Sequence, residues 1–237
     1  MENEIREKKG DSMIPVSIII AGVLIAASVL YSVNGGNGNG GQGNAEENLK
    51  ALGTRTPEIE SYDAVLGEKN APVTFFEFGD YQCPFCGKFF AEVESLIRKD
   101  YVKTGKINMV WRDFAFLGPE SRSAAYAAQC AKEEGRYWEY HDAIMIEEQR
   151  DGRENNGNLT TEFFTKTAKD LELNVATFSE CLSTEKYKDV VTEAYQSAVD
   201  AGVNSTPTAY VGGRMVKGAL PYSAFQTLID EAIRVSK

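Results

Sequence analysis

Two kinds of hydrophobic pattern divide this chain. Residues 13–33, MIPVSIIIAGVLIAASVLYSV, are 21 consecutive uncharged and mostly apolar positions. At about 1.5 Å per residue, a helix of that length crosses a hydrocarbon core of about 30 Å. The run exceeds the ~7–15 apolar residues of a cleaved leader, and its small residues Ala26, Ala27 and Ser28 lie inside it, so an uncleaved anchor is the better reading than a signal peptide. Lys8 and Lys9 precede the run and residues 34–45 carry no charge, which puts residues 1–12 in the cytoplasm and the remainder outside. Residues 34–44 hold six Gly, four Asn and one Gln. With residue 45 they read as a flexible tether with an r.m.s. span of roughly 15–20 Å.

Beyond it, residues 46–237 read as one folded domain. Residues 73–78, Val-Thr-Phe-Phe-Glu-Phe, form a β-prone run bounded by Pro72 and Gly79 and predict a buried strand. From Cys83, apolar residues at 85, 89, 90, 93, 96 and 97 recur at helical spacing, predicting a helix to about Lys103. Ile107–Trp111 predicts a second strand. Helices are then predicted over 119–134, 136–148, 160–171, 175–183 and 185–201, interrupted by Gly135 and the polar stretch 151–158. Strands Thr208–Val211 and Arg214–Lys217 flank a Gly212–Gly213 turn. A last helix, 221–235, buries Phe225, Leu228, Ile229, Ala232 and Ile233 on one face. No internal repeat is evident.

Composition narrows the function. There are 25 basic and 35 acidic residues among 237, a formal charge of −10, and only −1 of it falls within residues 1–45. No cluster of Lys and Arg suits a phosphate backbone, so nucleic acid is not an expected partner. A mean hydropathy of −0.32 excludes a polytopic membrane protein. With four cysteines and a single histidine, His141, most zinc-ligand sets are hard to assemble. No metal or cofactor is expected. His141, at helical spacing among Tyr137, Trp138 and Ile144, reads as a packed or surface histidine.

The cysteines carry the chemistry. Cys83-Pro84-Phe85-Cys86 falls where the buried strand gives way to a helix, and Pro84 in the first turn costs little because its missing N–H would have no partner there. Two cysteines so spaced can close a small, exposed disulfide ring. When reduced, the first sulfur faces unpaired N–H groups and the positive end of the helix dipole, which favour thiolate and lower its pKa. A low pKa also makes that sulfur a good leaving group, so the oxidised form becomes the less stable one. Phe85 has no hydrogen bond to offer. Half a zinc site and an inert structural disulfide are the alternatives, but Cys130 and Cys181 stand alone, whereas zinc ligands usually come in close pairs. Glu77, between Phe76 and Phe78, is costly to bury unless it has a partner or a task, such as exchanging a proton with Cys86. It would be ordinary if it pointed to solvent. In Val203-Asn204-Ser205-Thr206-Pro207-Thr208 a proline directly precedes a strand, and a cis bond there would expose the Thr206 backbone for pairing with a substrate chain.

Residues 71–90 (APVTFFEFGDYQCPFCGKFF), 202–218 (GVNSTPTAYVGGRMVKG) and 127–145 (AAQCAKEEGRYWEYHDAIM) together resemble the DsbA-like branch of the thioredoxin superfamily, over about residues 60–236. The resemblance implies an α/β thioredoxin-like fold, a central mixed sheet flanked by helices, with a helical insertion over about 119–202. That insertion accounts for the 121 positions from Cys86 to Pro207. It further implies that Cys83 is the nucleophile, Cys86 the resolving thiol, Pro207 the cis proline opposite them and Glu77 the family's buried acid. Strongly oxidising relatives often have histidine where this chain has Phe85, and Thr206 also occurs in isomerase-like and reductase-like relatives, so the direction of electron flow stays open. Cys130 and Cys181 are commonly bridged in relatives that have both, and an even count in an oxidising compartment favours that bond over two buried free thiols.

The sequence therefore predicts a membrane-anchored, extracytoplasmic thiol–disulfide oxidoreductase, monomeric, acting on exported cysteine-containing polypeptides and reoxidised by a quinone-linked membrane partner. A reductase or isomerase kept reduced by a membrane electron donor is the rival enzyme. A tethered binding or chaperone module is the non-enzymatic one.

Overall fold

The computed structural model describes residues 57–236 apart from residue 151. The predicted tail, anchor and linker (1–12, 13–33 and 34–45) lie outside them, and among the described residues no helix is long and apolar enough to cross a membrane.

Five strands form one mixed sheet in the order β1-β3-β2-β4-β5. The strands are β1 (Ala64–Leu66), β2 (Thr74–Gly79), β3 (Asn108–Asp113), β4 (Thr208–Val211) and β5 (Arg214–Lys217). Only β2 and β3 run parallel; the other three pairings are antiparallel. β2 lies between β3 and β4 and is buried at five of its six positions, as its unbroken apolar run requires. The three-residue β1 is too short to leave a periodic signal, and the hydrophobic pattern does not predict it.

A helical rod connects β2 to β3. It opens as α1 (Pro84–Phe89), then runs through a π turn (Phe90–Glu94), an α turn (Ser95–Ile97) and a second π turn (Arg98–Val102). The sequence predicts one plain helix here. The two wide turns are a departure, and the first brings Glu94 as well as Val93 to the buried side. Five helices then separate β3 from β4: α2 (Pro119–Lys132), α3 (Tyr137–Glu148), α4 (Thr161–Asp170), α5 (Val175–Ser183) and α6 (Lys188–Asp200). They form the predicted helical insertion. Thr160 caps α4 by accepting from the Phe163 N–H, and Asn174 caps α5 by accepting from Ala176 and Thr177. α7 (Tyr222–Val235) packs Phe225 and Ile229 against the sheet.

The two sheet faces have different tasks. Phe76, Phe78 and Val110 pack with Ala198, Ala201 and Tyr210 on one side. On the other, Phe75 and Met109 meet Phe89, Val93 and Ile97 of the rod. Trp111 lies on this second face and continues into the core of the insertion, beside Tyr81, Cys83 and Cys86. Gly79 makes room for it: a Cβ there would sit 2.0 Å from the Trp111 ring. Cys130 and Cys181 are disulfide-bonded and tie α2 to α5.

Candidate active site

Cys83 precedes the first turn of α1 in an extended conformation (φ −79°, ψ 116°), with Pro84 next. Its carbonyl accepts from the Cys86 and Gly87 N–H groups at 2.9 and 3.1 Å, fixing the turn that holds both sulfurs. The sequence predicts an exposed cysteine ring. Both cysteines are instead buried free thiols, Cys83 7% and Cys86 0% exposed, because the insertion core closes over them. Phe85 is the exposed member of the motif, at 63%.

Across from Cys83 lies the segment leading into β4. The Thr206–Pro207 bond is cis, and the Cys83 thiol donates to the Thr206 carbonyl oxygen at 3.6 Å over 123 positions of chain. Phe85, Phe116 and Leu220 are exposed apolar side chains of the same domain.

The two thiols are driven apart in acidity. Donation from the Cys86 thiol is the main reason that the Cys83 thiol falls to about 6; burial opposes it, and the Thr206 side chain and the N–H groups of Cys86 and Phe85 add to it. Burial pushes the Cys86 thiol well up, and its bond to Cys83 and the charges of Cys83 and Glu77 push the same way. One sulfur is thus a thiolate near neutrality and its neighbour a thiol.

Glu77 lies fully buried in the middle of β2, paired in register with Trp111 on β3. Registered residues on parallel strands point to the same face, so Glu77 shares the face covered by the rod. Neither of its carboxylate oxygens has a hydrogen-bond partner. Burial raises its pKa well above the carboxylate range; Glu94 and Cys83 add to the rise and Arg98 opposes it.

Four neighbouring residues have no site-like signal in the sequence. Glu94 and Arg98, one helical turn apart, resemble an ordinary surface pair, yet Glu94 is buried and Arg98 is in ion-pair contact with it. Arg98 Nη1 also donates to both carboxylate oxygens of Asp142, at 2.9 and 2.8 Å. His141 is buried, its Nδ1 3.0 Å from Asp142, and rings of Tyr81, Phe90, Trp111 and Trp138 surround it. Glu94, His141 and Asp142 are the only described residues of their kind grouped closely enough to share a cation. The Arg98 guanidinium already pairs with two of them, Glu94 and Asp142.

The loop before Cys83 is braced from two sides. Asp80 accepts from the N–H groups of Gln82, Phe116 and Leu117, each at 2.9 Å. The Gln82 side chain accepts from the Asn155 N–H, and Asn155 Nδ2 donates to the Leu117 carbonyl at 2.8 Å. The polar stretch between α3 and α4, predicted only as a loop, thereby helps to fix the cysteine turn.

A family model described as thioredoxin matches residues 60–231. Disulfide bond formation protein D of Bacillus subtilis is 28% identical over 174 residues, which are 72% of this chain and 77% of that protein. The Na(+)/H(+) antiporter NhaA 1 of Salinispora arenicola is 30% identical over 172 residues, but there the chain spans only 24% of the longer protein. Among solved structures, oxidised BdbD from Bacillus subtilis superposes with a TM-score of 0.70 at 27% identity, covering 76% of this chain and 97% of that one. Wolbachia pipientis alpha-DsbA1, at TM-score 0.67 and 19% identity over 75% and 94% of the two chains, shares the fold. With a mixed sheet, a Cys-Pro-Phe-Cys helix start facing a cis proline and five inserted helices, this chain belongs to the thioredoxin family, in its DsbA-like form.

Proposed function

We propose that this chain is an extracytoplasmic thiol–disulfide oxidoreductase that forms disulfide bonds in exported proteins, held at the membrane by residues 13–33. The observation that carries the reading is the Cys83 sulfur, at a helix start with its pKa lowered to about 6 and 3.6 Å from the Thr206 carbonyl oxygen that precedes the cis Pro207. A substrate thiolate attacks the Cys83 sulfur of the Cys83–Cys86 disulfide, and Cys86 leaves. Burial makes a bare Cys86 thiolate costly, so it takes up a proton, and Glu77, a carboxyl held protonated by burial, supplies it. A second substrate thiolate then attacks the substrate sulfur of the mixed disulfide, and Cys83 departs as a stabilised thiolate. The product is a substrate disulfide and a reduced enzyme, with both electrons now on Cys83 and Cys86. The backbone at Thr206 offers a strand-like edge for the substrate chain, and a quinone-linked membrane partner takes the electrons away.

A depressed nucleophile pKa stabilises the reduced enzyme and so favours the oxidising direction. The similarity to a disulfide bond formation protein points the same way. Cys130 and Cys181 stand apart from the exchange. Refolding of a reduced, cysteine-containing substrate tests the activity: wild type should accelerate disulfide formation, and Cys83→Ala should not. In intact cells a membrane-impermeant thiol reagent should find Cys83 blocked. A freely labelled Cys83 would instead assign the chain to reduction or isomerisation.

A further inference from the structure

The exchange chemistry uses Glu77, but it leaves a second buried carboxylate unexplained. Glu94 is as buried as Glu77 and lies on the rod that covers Glu77's face of the sheet. It is positioned there by a π turn, a local widening that is rare in helices and frequent at functional sites. A buried carboxylate is expensive there even when paired, as Glu94 is with Arg98, and a second one on the same side of the sheet raises the cost. Among the described residues, Arg98 is the permanent cation that serves both, in ion-pair contact with Glu94 and acting on Glu77. That cation is not free to turn wholly to either acid, because Asp142 holds its Nη1 with both oxygens and His141 backs Asp142 at 3.0 Å. Asp142 is also where the cluster meets water, with its side chain 34% exposed, whereas those of Glu94 and His141 are fully buried.

Taking the thiol–disulfide reading as its basis, we propose that Glu94 is a positioning residue for the proton step, a second buried carboxylate that keeps Glu77 protonated until Cys86 leaves, with Arg98 held by Asp142 setting the balance. In the oxidised enzyme Glu77 carries a proton. When the Cys83–Cys86 bond breaks, that proton moves to Cys86 and Glu77 becomes an anion beside Glu94. The second negative charge is disfavoured, so Glu77 takes a proton back from solvent as the cycle closes. Without Glu94 the guanidinium would turn toward Glu77 uncompensated. Glu77 would then lose its proton at lower pH and have none to give. The other titratable groups around the cluster are Cys83 at the helix start, Cys86 from α1, Asp113 from β3, Tyr81 from the preceding loop, and Tyr137, His141 and Asp142 from α3. Among these described groups Arg98 is the permanent cation, and His141 acts from the far side through Asp142.

The test follows the reduction of the purified Cys83–Cys86 disulfide by dithiothreitol, across about pH 4 to 9, in wild type, Glu94→Gln, Glu94→Asp and Asp142→Asn. Glu94→Gln should move the pH inflection assigned to Glu77 to lower pH by about one unit or more. Glu94→Asp should recover most of the wild-type profile. Asp142→Asn, at a partly exposed position, should shift it the same way by freeing Arg98. The inflection is assigned to Glu77 by its loss in Glu77→Gln. If the wild-type profile loses its inflection in Glu77→Gln but is unmoved in both Glu94→Gln and Asp142→Asn, the role of Glu94 is wrong. If wild type and Cys83→Ala exchange alike, the oxidoreductase reading itself fails, which is a separate result.

Discussion

Removing the Cys86 thiol should undo most of what makes Cys83 reactive. That thiol is the largest influence lowering the Cys83 pKa from 9.0 to about 6. At pH 7 a group with a pKa of about 6 is roughly nine-tenths thiolate, against about one part in a hundred for a pKa of 9.0. The folded value lies below the unfolded one, so the stabilisation is complete above the unfolded value and is lost as pH falls through about 6. At pH 7 it amounts to about 1.4 kcal/mol in favour of the reduced fold, equivalent to about 30 mV of oxidising power for a two-electron couple. The assay is the rate of iodoacetamide alkylation of Cys83 as a function of pH. Wild type should show a midpoint near 6, and Cys86→Ala should move it toward 9. Cys86→Ser, which keeps a donor in the same place, should stay closer to wild type. A Cys86→Ala midpoint still at about 6 would refute the reasoning, because the backbone N–H groups and Thr206 would then be sufficient alone. As a linked check, the stability advantage of reduced wild type over Cys83→Ala should be larger at about pH 8 than at about pH 5.

Two further outcomes follow from the same structure. The Cys130–Cys181 bond spans 51 positions, so replacing both cysteines by serine should lower stability by about 2–4 kcal/mol in denaturant unfolding. The Cys83 alkylation midpoint should not move, since neither residue is among the groups that set the Cys83 acidity. Glu77→Gln should trade activity for stability. The folded pKa of Glu77 lies above its reference of 4.5, so ionising it costs stability as pH rises past that value. The variant should therefore unfold at higher temperature than wild type near pH 8 while reducing more slowly with dithiothreitol, and a variant less stable than wild type at that pH would count against a buried, protonated Glu77.

Much of this protein is local, and local features are written in its sequence. The unbroken apolar run of β2, the helical spacing of α2 to α7 and the Gly212–Gly213 turn each follow from neighbours within a few residues, and their predicted bounds differ from the structure by at most three positions. The Cys-Pro-Phe-Cys motif is local too, because a proline in the first turn and two thiols one turn apart need nothing distant to take shape. Tertiary structure decided everything that depends on which surfaces meet. The closing of the insertion buried the cysteines that the motif alone would have left exposed. Thr206 came to face Cys83 across 123 positions, and Cys130 found Cys181. Glu94 and Arg98 are the clearest case. At a spacing of four they resemble any solvated ion pair, and only the π turn and the packing of the rod on β2 turn them inward toward Glu77. Burial and long-range charge set the acidity of a site, and neither has a period that a sequence can display.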